Sequence, residues 1–583
     1  MNVRAVIALA LSAAAVRLIP LRFLHPLNWD ELEFWRATSW IAQGRLPFRD
    51  FWEHHTPLMW FLFAPFTWLT GSPGVDAVIA LRWAQIPVWI ATFWLTNLWM
   101  RGAGMERFAR WSAMAVALCS SLLMIPAIEY RVDSLGCMLV MGGLVLAQRE
   151  KFFLSGVVFC LAGFANLRLG PVLVVAVLLI LLTTQLRAWP IAAGGFTALA
   201  ACLAFFAATG SFDELIQQVW TDNRGERFAT AVAGGFLHRL LVPFGVRLLA
   251  TDRLFELAAV DVGGILVLLL GFGGMLLALR ARGDIGMLSV LQLTNVLFIA
   301  SMKFIYNYHF ALLAIFAIPL VALVLERVPR RSAIVALLVV AWSVNAFASV
   351  FRGKELDRAY QDVIMREVHA RTAPGERVFS GITWALRREP AYRYWFLPEL
   401  ARQLVREKLA PPYVLNDPPA AVVFDYNALL WVGTVQRELA PYLIRHYIPV
   451  WRELWIPAMN ARLGAGRSFE WRVPRDGDYR VYVSAPLARH PWFRNPLAFA
   501  TYKKPDASKF TISLPAEGAG AVQFSAPLTG LRKGAPLAAF NASNEEVAVI
   551  LIPTDDRVLF RQPEGGATLE GETTRVTHMP RLW

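Results

Sequence analysis

Between residues 1 and 350 the chain is a succession of apolar stretches of roughly bilayer-crossing length, separated by short polar turns. No other feature restricts the fold as strongly. Inside hydrocarbon every backbone polar group needs a partner within the structure, and a single run of about 20 apolar residues meets that demand only as a helix. The stretches fall at 4–24, 76–100, 109–126, 133–149, 152–167, 169–186, 189–209, 260–279, 284–301, 309–326 and 332–350. The pattern predicts a polytopic α-helical membrane protein with about eleven transmembrane helices and a membrane domain over residues 1–350. The first stretch is expected to be retained, because Arg17 and Pro20 interrupt it and no small-residue cleavage site follows.

Charge gives the bundle a direction. One set of helix ends carries Arg4, Arg101, Arg107, Arg110, Arg149, Lys151, Arg187, Arg280, Arg282, Arg327, Arg330 and Arg331; the opposite turns carry Arg131, Arg168 and Lys303. The basic side is expected to be cytoplasmic. That places the N-terminus inside a cytoplasmic (inner) membrane and the C-terminal region outside, periplasmic or extracellular, with external loops at about 25–75 and 210–259. The net charge of +14 is accounted for largely by these clusters. Nucleic acid would require a continuous basic face on a soluble fold and is excluded as a partner. The four cysteines all lie in apolar segments, so neither a disulfide framework nor a thiolate metal site is expected. Residues 57–70 are aromatic and apolar but too short to span, residues 236–250 mix apolar and basic positions, and both suit interfacial helices contacting lipid.

The chemistry-bearing residues gather in the external turns. Asn28-Trp29-Asp30-Glu31-Leu32-Glu33 follows the first helix, and Asp50-Phe51-Trp52-Glu53-His54-His55-Thr56-Pro57 follows within thirty residues. A carboxylate in a partly desolvated cleft has a raised pKa and can serve as a general base; the same acids could equally pair with Arg36, Arg45 and Arg49. A second turn, Glu129-Tyr130-Arg131-Val132-Asp133, opens a span, where Asp133 also suits an N-cap. Arg82 lies inside a span, while Arg168, Lys303 and His309 lie at external helix ends. Charges at membrane depth are costly and point to function, although snorkelling also explains Arg168 and Lys303. Acids and cations converging on one face suit a phosphate-bearing lipid substrate. Arg224, in the segment 220–228, is a further candidate for substrate contact.

This order, an acidic pair after helix one, a D-F-W-acid-x-basic-x-P element, a short amphipathic segment and then R-x-D opening a span, resembles the glycosyltransferase C superfamily. The branch is that of the protein O-mannosyltransferases and the lipid A aminoarabinose transferase. The resemblance covers about residues 1–330. It implies sugar transfer from a polyprenyl-phosphate donor to a glycan, lipid or protein acceptor, with catalytic acids at Asp30, Glu31 and Asp133. The donor phosphate would be held by His55, Arg82, Arg131, Arg168 and Lys303, and other substrate contacts would come from Glu53, His54, His309 and Arg224. His55 stands where the family has lysine, so the phosphate either meets a histidine kept protonated by Glu53 or leans on the other cations. The resemblance implies no cofactor and no metal; Asp30, Glu31 and Asp133 are the oxygen set that would suit Mg²⁺ or Mn²⁺. A transporter or flippase of a lipid-linked or anionic substrate is the competing reading, against which no repeat between halves is visible.

Beyond residue 355 the periodicity changes. GERVFSG and AAVVFDY read as buried strands, with ELARQLVREKL and QRELAPYLIRHY as helices, so 355–460 is expected to be an α/β unit. RSFEWRV, GDYRVYVSA, KFTISL, AVQFSA and VAVILIP are short, often alternating and turn-bounded, which predicts a β-sandwich over 464–583.

Overall fold

The computed structural model describes chiefly residues 3–222, 262–329, 358–484, 510–513 and 528–554, with short breaks within these ranges. The chain forms two compact units, Met1–Arg358 and Ala359–Pro580.

The first unit is helical. Its elements are α1 (Val3–Leu24), α2 (Trp29–Ala42), α3 (Leu58–Phe63), α4 (Val75–Ala84), α5 (Ile86–Gly102), α6 (Arg107–Leu118), α7 (Met124–Ile128), α8 (Val132–Gln148), α9 (Phe152–Ala165), α10 (Gly170–Thr183) and α11 (Pro190–Ala208). After the short α12 (Phe212–Leu215) come α13 (Val262–Ala278), α14 (Asp284–Ser301) and α15 (Ala311–Arg327). Among the described residues four helices are long and apolar enough to cross a membrane: Val75–Gly102, Pro190–Ala208, Asp284–Ser301 and Tyr308–Arg327. Shorter apolar helices are Leu58–Leu69, Val132–Gln148, Phe152–Ala165, Leu167–Thr183 and Leu266–Ala278. Expected span 76–100 falls within Val75–Gly102, which has an irregularity at Gln85 ahead of Pro87, and expected span 109–126 is divided between α6 and α7; span 332–350 lies outside the described residues apart from isolated positions.

Helix α15 is buried along nearly its whole length, including Pro319, and forms the middle of the apolar core. Lipid-solvated helices gain little from hydrophobic association, so close packing through small residues matters more. Gly156 in α9 and Gly194 in α11 supply it. A side-chain carbon at Gly156 would land on the Ile191 carbonyl, and one at Gly194 on the Phe153 carbonyl.

Helix ends that the sequence places on one side do meet one another. At one end, α2, α8, α10 and the residues before α15 converge on Arg131, Asn166 and Tyr308. At the other, Gln148 donates to the Trp99 carbonyl and to Asp284, and the Glu106 amide donates to Glu326.

The second unit has a five-stranded mixed sheet, ordered β2-β1-β3-β5-β4, in which β1 (Arg377–Ser380) lies parallel to β2 (Glu389–Pro390) and to β3 (Ala421–Val423). β4 (Tyr447–Trp451) and β5 (Leu454–Pro457) complete it antiparallel. A four-stranded sheet follows, in which β8 (Gly477–Ser484) and β12 (Val547–Pro553) lie centrally, flanked by β10 (Leu528–Leu531) and β6 (Met459–Leu463). A three-stranded sheet joins β7 (Ser468–Arg472), β11 (Pro536–Asn541) and β9 (Phe510–Ser513), with Trp471, Tyr479, Leu537 and Val549 in the core that the two sheets share. Strand β6 therefore enters the sandwich ahead of residue 464. Segment AVQFSA lies outside the described residues.

Candidate functional site

The segment Trp29–Glu33 is helical rather than a loop. Asn28 caps α2: its side chain accepts from the Asp30 amide at 3.2 Å, and Glu31 reaches back to the Asn28 amide at 3.0 Å. This capping box is a local signal, acceptor residue then Glu three positions on, that the sequence carries but that the acidic character of the segment obscures.

The capping box separates the two adjacent acids. Glu31 is fully buried and accepts from Arg82 Nε at 2.7 Å, Arg82 Nη2 at 2.5 Å and the Tyr130 amide at 2.8 Å, besides Asn28. Arg82, also fully buried, turns its remaining N–H groups to the carbonyls of Arg22, His25 and Pro26. A guanidinium has five donors, and all five are engaged. Arg82 thus differs from the expected phosphate ligand, and Glu31 from the expected catalytic acid: together they tie α2, α4 and the end of α1.

Asp30 faces the other way and is half-exposed. Its Oδ2 accepts from Arg131 Nη2 at 3.0 Å. Arg131, immediately before α8, donates also to Glu129 at 3.0 Å and to Asp133 at 3.2 Å. Three acids surrounding its guanidinium push the Arg131 pKa up against the opposing effect of burial. The His25 and Arg131 side chains, working against burial, hold the Glu129 carboxyl down at about 2. Asp133 lies in the first turn of α8 rather than at the cap, and its second oxygen accepts from Asn166 at 3.0 Å. The expected oxygen set of Asp30, Glu31 and Asp133 is accordingly not assembled: a guanidinium links Asp30 to Asp133, and Glu31 points to Arg82.

Tyr308, absent from the sequence expectations, stacks on Arg131, with the guanidinium carbon 3.4 Å from the ring centroid. Arg168 approaches the same ring at 5.8 Å and contacts His309 Nε2 at 2.9 Å. A tyrosine inside an aromatic helix entry gives no sequence signal of a cation–π role; only the convergence of α8, α10 and α15 creates it. Arg168 is exposed and four of its five guanidinium N–H donors lie clear of the His309 contact, its backbone amide serving Asn166, while Arg131 makes three bonds from five donors. Lys303 and Arg224 lie outside the described residues.

The segment 46–57 folds against α2. Phe48, fully buried at φ 71°, packs on Phe206, and its carbonyl accepts from Gln218 Nε2 at 3.0 Å. The Glu53 amide donates to Gln218 in turn at 2.8 Å. Glu53, His54 and most of His55 are buried, so Glu53 and His54 face the interior rather than a substrate. Burial raises the Glu53 carboxyl to about 7, against the neighbouring His54. Burial, then Arg168, lowers the His55 imidazole to about 3. His55 is therefore neutral, and Glu53 does not keep it protonated.

No family model matches the sequence, and no curated protein matches it. Solved structures do. The structure of ArnT from Cupriavidus metallidurans bound to undecaprenyl phosphate superposes with a TM-score of 0.53 at 13% identity, covering 78% of this chain and 98% of that one. The same protein in the apo state gives 0.49 at 14% identity, covering 77% and 97%. The apo oligosaccharyltransferase of Archaeoglobus fulgidus gives 0.41 at 12%, covering 82% of this chain and 73% of that one. On the first of these likenesses, the chain shares the fold of that structure over most of its length.

Proposed function

We propose that the chain is a membrane glycosyltransferase that moves a single sugar from a polyprenyl-phosphate donor to a hydroxyl acceptor at the outer face of the cytoplasmic membrane. The observation that carries this reading is the half-exposed carboxylate of Asp30 beside Arg131, with Tyr308 and the exposed Arg168 joined to it at one end of the helix bundle. Its fold likeness to ArnT, solved with undecaprenyl phosphate, supports the donor class.

In this reading the acceptor oxygen attacks the anomeric carbon, Asp30 takes the hydroxyl proton, and the bond to the lipid phosphate breaks with its electron pair passing to the phosphate oxygen. Displacement in one step inverts the anomeric configuration. Arg168, with donors to spare, and the two remaining N–H groups of Arg131 stabilise the departing phosphate, as bidentate guanidinium contacts do. Asp133 and Glu129 hold Arg131, through which they position Asp30. The reaction requires no metal at Asp30 and Asp133, because Arg131 already links them.

The test is turnover of polyprenyl-phosphate-linked sugars by the purified chain, wild type against Asp30→Asn. Loss of a general base costs about 10²- to 10⁴-fold, and a rate reduction in that range is expected. If no such donor is turned over by the wild type, or if the variant keeps its rate, the reading fails.

A further inference from the structure

Beneath the Asp30 face lies a second group of ionisable side chains that the transfer reaction does not use. Glu33 projects from α2 three residues after Asp30, and Glu53, His54 and His55 come from the segment folded over it. Glu33 is 3% exposed, Glu53 0% and His54 8%. His54 Nδ1 lies 3.5 Å from Glu33 Oε1 and 3.4 Å from Glu53 Oε1; His55 Nδ1 lies 3.8 Å and 2.9 Å from the same two oxygens. All four candidate ligand atoms fall within 4.8 Å of one another.

Hydrogen bonding leaves this group incomplete. Glu53 Oε1 accepts from the His54 and His55 amides, yet among the described residues Glu53 Oε2 and Glu33 Oε1, both buried, have no hydrogen-bond donor beyond the contact of the two carboxyls with each other. Buried carboxylate oxygens without donors are expensive. In a tetrahedral site with metal–ligand distances of about 2.0–2.1 Å, neighbouring ligand atoms stand about 3.3–3.4 Å apart. The four nitrogen–oxygen separations scatter around that value. Two imidazoles and two carboxylates suit a borderline transition cation, and the two negative charges balance a divalent one.

We propose that Glu33, Glu53, His54 and His55 bind one divalent transition-metal ion, with Zn²⁺ the species that the tetrahedral spacing fits. On binding, the His55 Nδ1 contact to Glu53 gives way to ligation, and the ring carries its proton on Nε2. The ion fastens the 46–57 segment to α2 one turn from Asp30, so its role is to brace the helix end that presents that carboxylate. This proposal is independent of the glycosyltransferase reading, since metal content is measured without turnover.

The test uses the full-length purified chain, stripped with chelator, reloaded with Zn²⁺ and desalted, with metal quantified by mass spectrometry. The wild type is expected to retain about one Zn²⁺ per chain and to show a higher thermal midpoint with Zn²⁺ than with Mg²⁺ or none. The double variant Glu33→Gln/Glu53→Gln, close to the original in shape, is expected to lose both effects. Co²⁺ loading provides a check on the wild type alone, because tetrahedral ligation gives intense visible absorption. A folded wild type that retains no Zn²⁺, or a double variant that retains it equally, overturns the proposal; the first result would leave Glu33 and Glu53 sharing a proton instead.

Discussion

At the scale of single residues, neighbouring acids with the same sequence context have opposite fates. Glu31 receives four donors in a buried pocket, while Asp30, one position earlier, receives one from Arg131 at a half-exposed surface. Removing one partner from a buried ion pair costs about 3–5 kcal/mol, because a charge is left without compensation. Arg82→Leu is therefore expected to lower stability by about that amount in denaturant or thermal unfolding, with Arg82→Leu/Glu31→Leu recovering part of it. A single variant as stable as the wild type would refute the tie. Glu129 gives a pH-dependent prediction of known sign. Its folded pKa of about 2 lies below the ordinary value of 4.5, so its contribution is fully present above about pH 4.5 and is lost as pH falls toward 2. The difference in thermal midpoint between wild type and Glu129→Gln is expected to shrink over that interval. A difference that stays constant from pH 6 to pH 3 would exclude the assignment.

At the scale of elements, two devices shape the site: the Asn28 cap that starts α2 and the glycine crossing of α9 on α11. The cap sets the helical phase, so that Glu31 turns inward and Asp30 outward. At the crossing, any side chain at Gly194 meets the Phe153 backbone rather than a movable side chain. Overpacking of this kind costs about 1–3 kcal/mol. Gly194→Val is expected to reduce thermal stability by that amount, whereas Ala193→Val, on the neighbouring position, is expected to change it little. Equal effects at the two positions would show that close approach is not what Gly194 provides. The strands of the second unit follow the same logic of local pattern: β1, β3, β7, β8, β9 and β12 all form inside stretches whose alternation or apolar run predicts them. Strands β4 to β6, β10 and β11 lie outside those stretches, each paired with a neighbouring strand.

At the scale of the whole molecule, the division of helix ends into two sets is the main result for the membrane unit. Leu167 and Lys151 are both exposed and lie at opposite ends of α9. With the native cysteines replaced, Leu167→Cys is expected to react with a membrane-impermeant maleimide in intact cells, and Lys151→Cys only after permeabilisation. Labelling of both from the same side would invalidate the expected orientation. The helical segments themselves were legible in the sequence, since apolar length and turn residues mark α1, α8, α9, α11, α13 and α14 within a few positions. Asp30, Arg131, Asp133 and Arg168 were also marked, as charges at the ends of apolar helices. What sequence reasoning could not supply were the partners.

Those partners lie far apart along the chain. Arg82 meets Glu31 from 51 residues away, Arg131 meets Asp30 across 101, and Arg168 meets His309 across 141. A local pattern fixes whether a segment is helical, because the backbone hydrogen bonds and the apolar face are local quantities. It does not fix whether a buried arginine serves a ligand or a neighbouring carboxylate, because that depends on which charges the packing of remote helices brings within hydrogen-bond reach. The sequence by itself determined a helical membrane bundle with its charges at the helix ends. Only the tertiary structure decided that Arg82 and Glu31 hold the bundle together, and that Asp30, Arg131, Tyr308 and Arg168 form one accessible face.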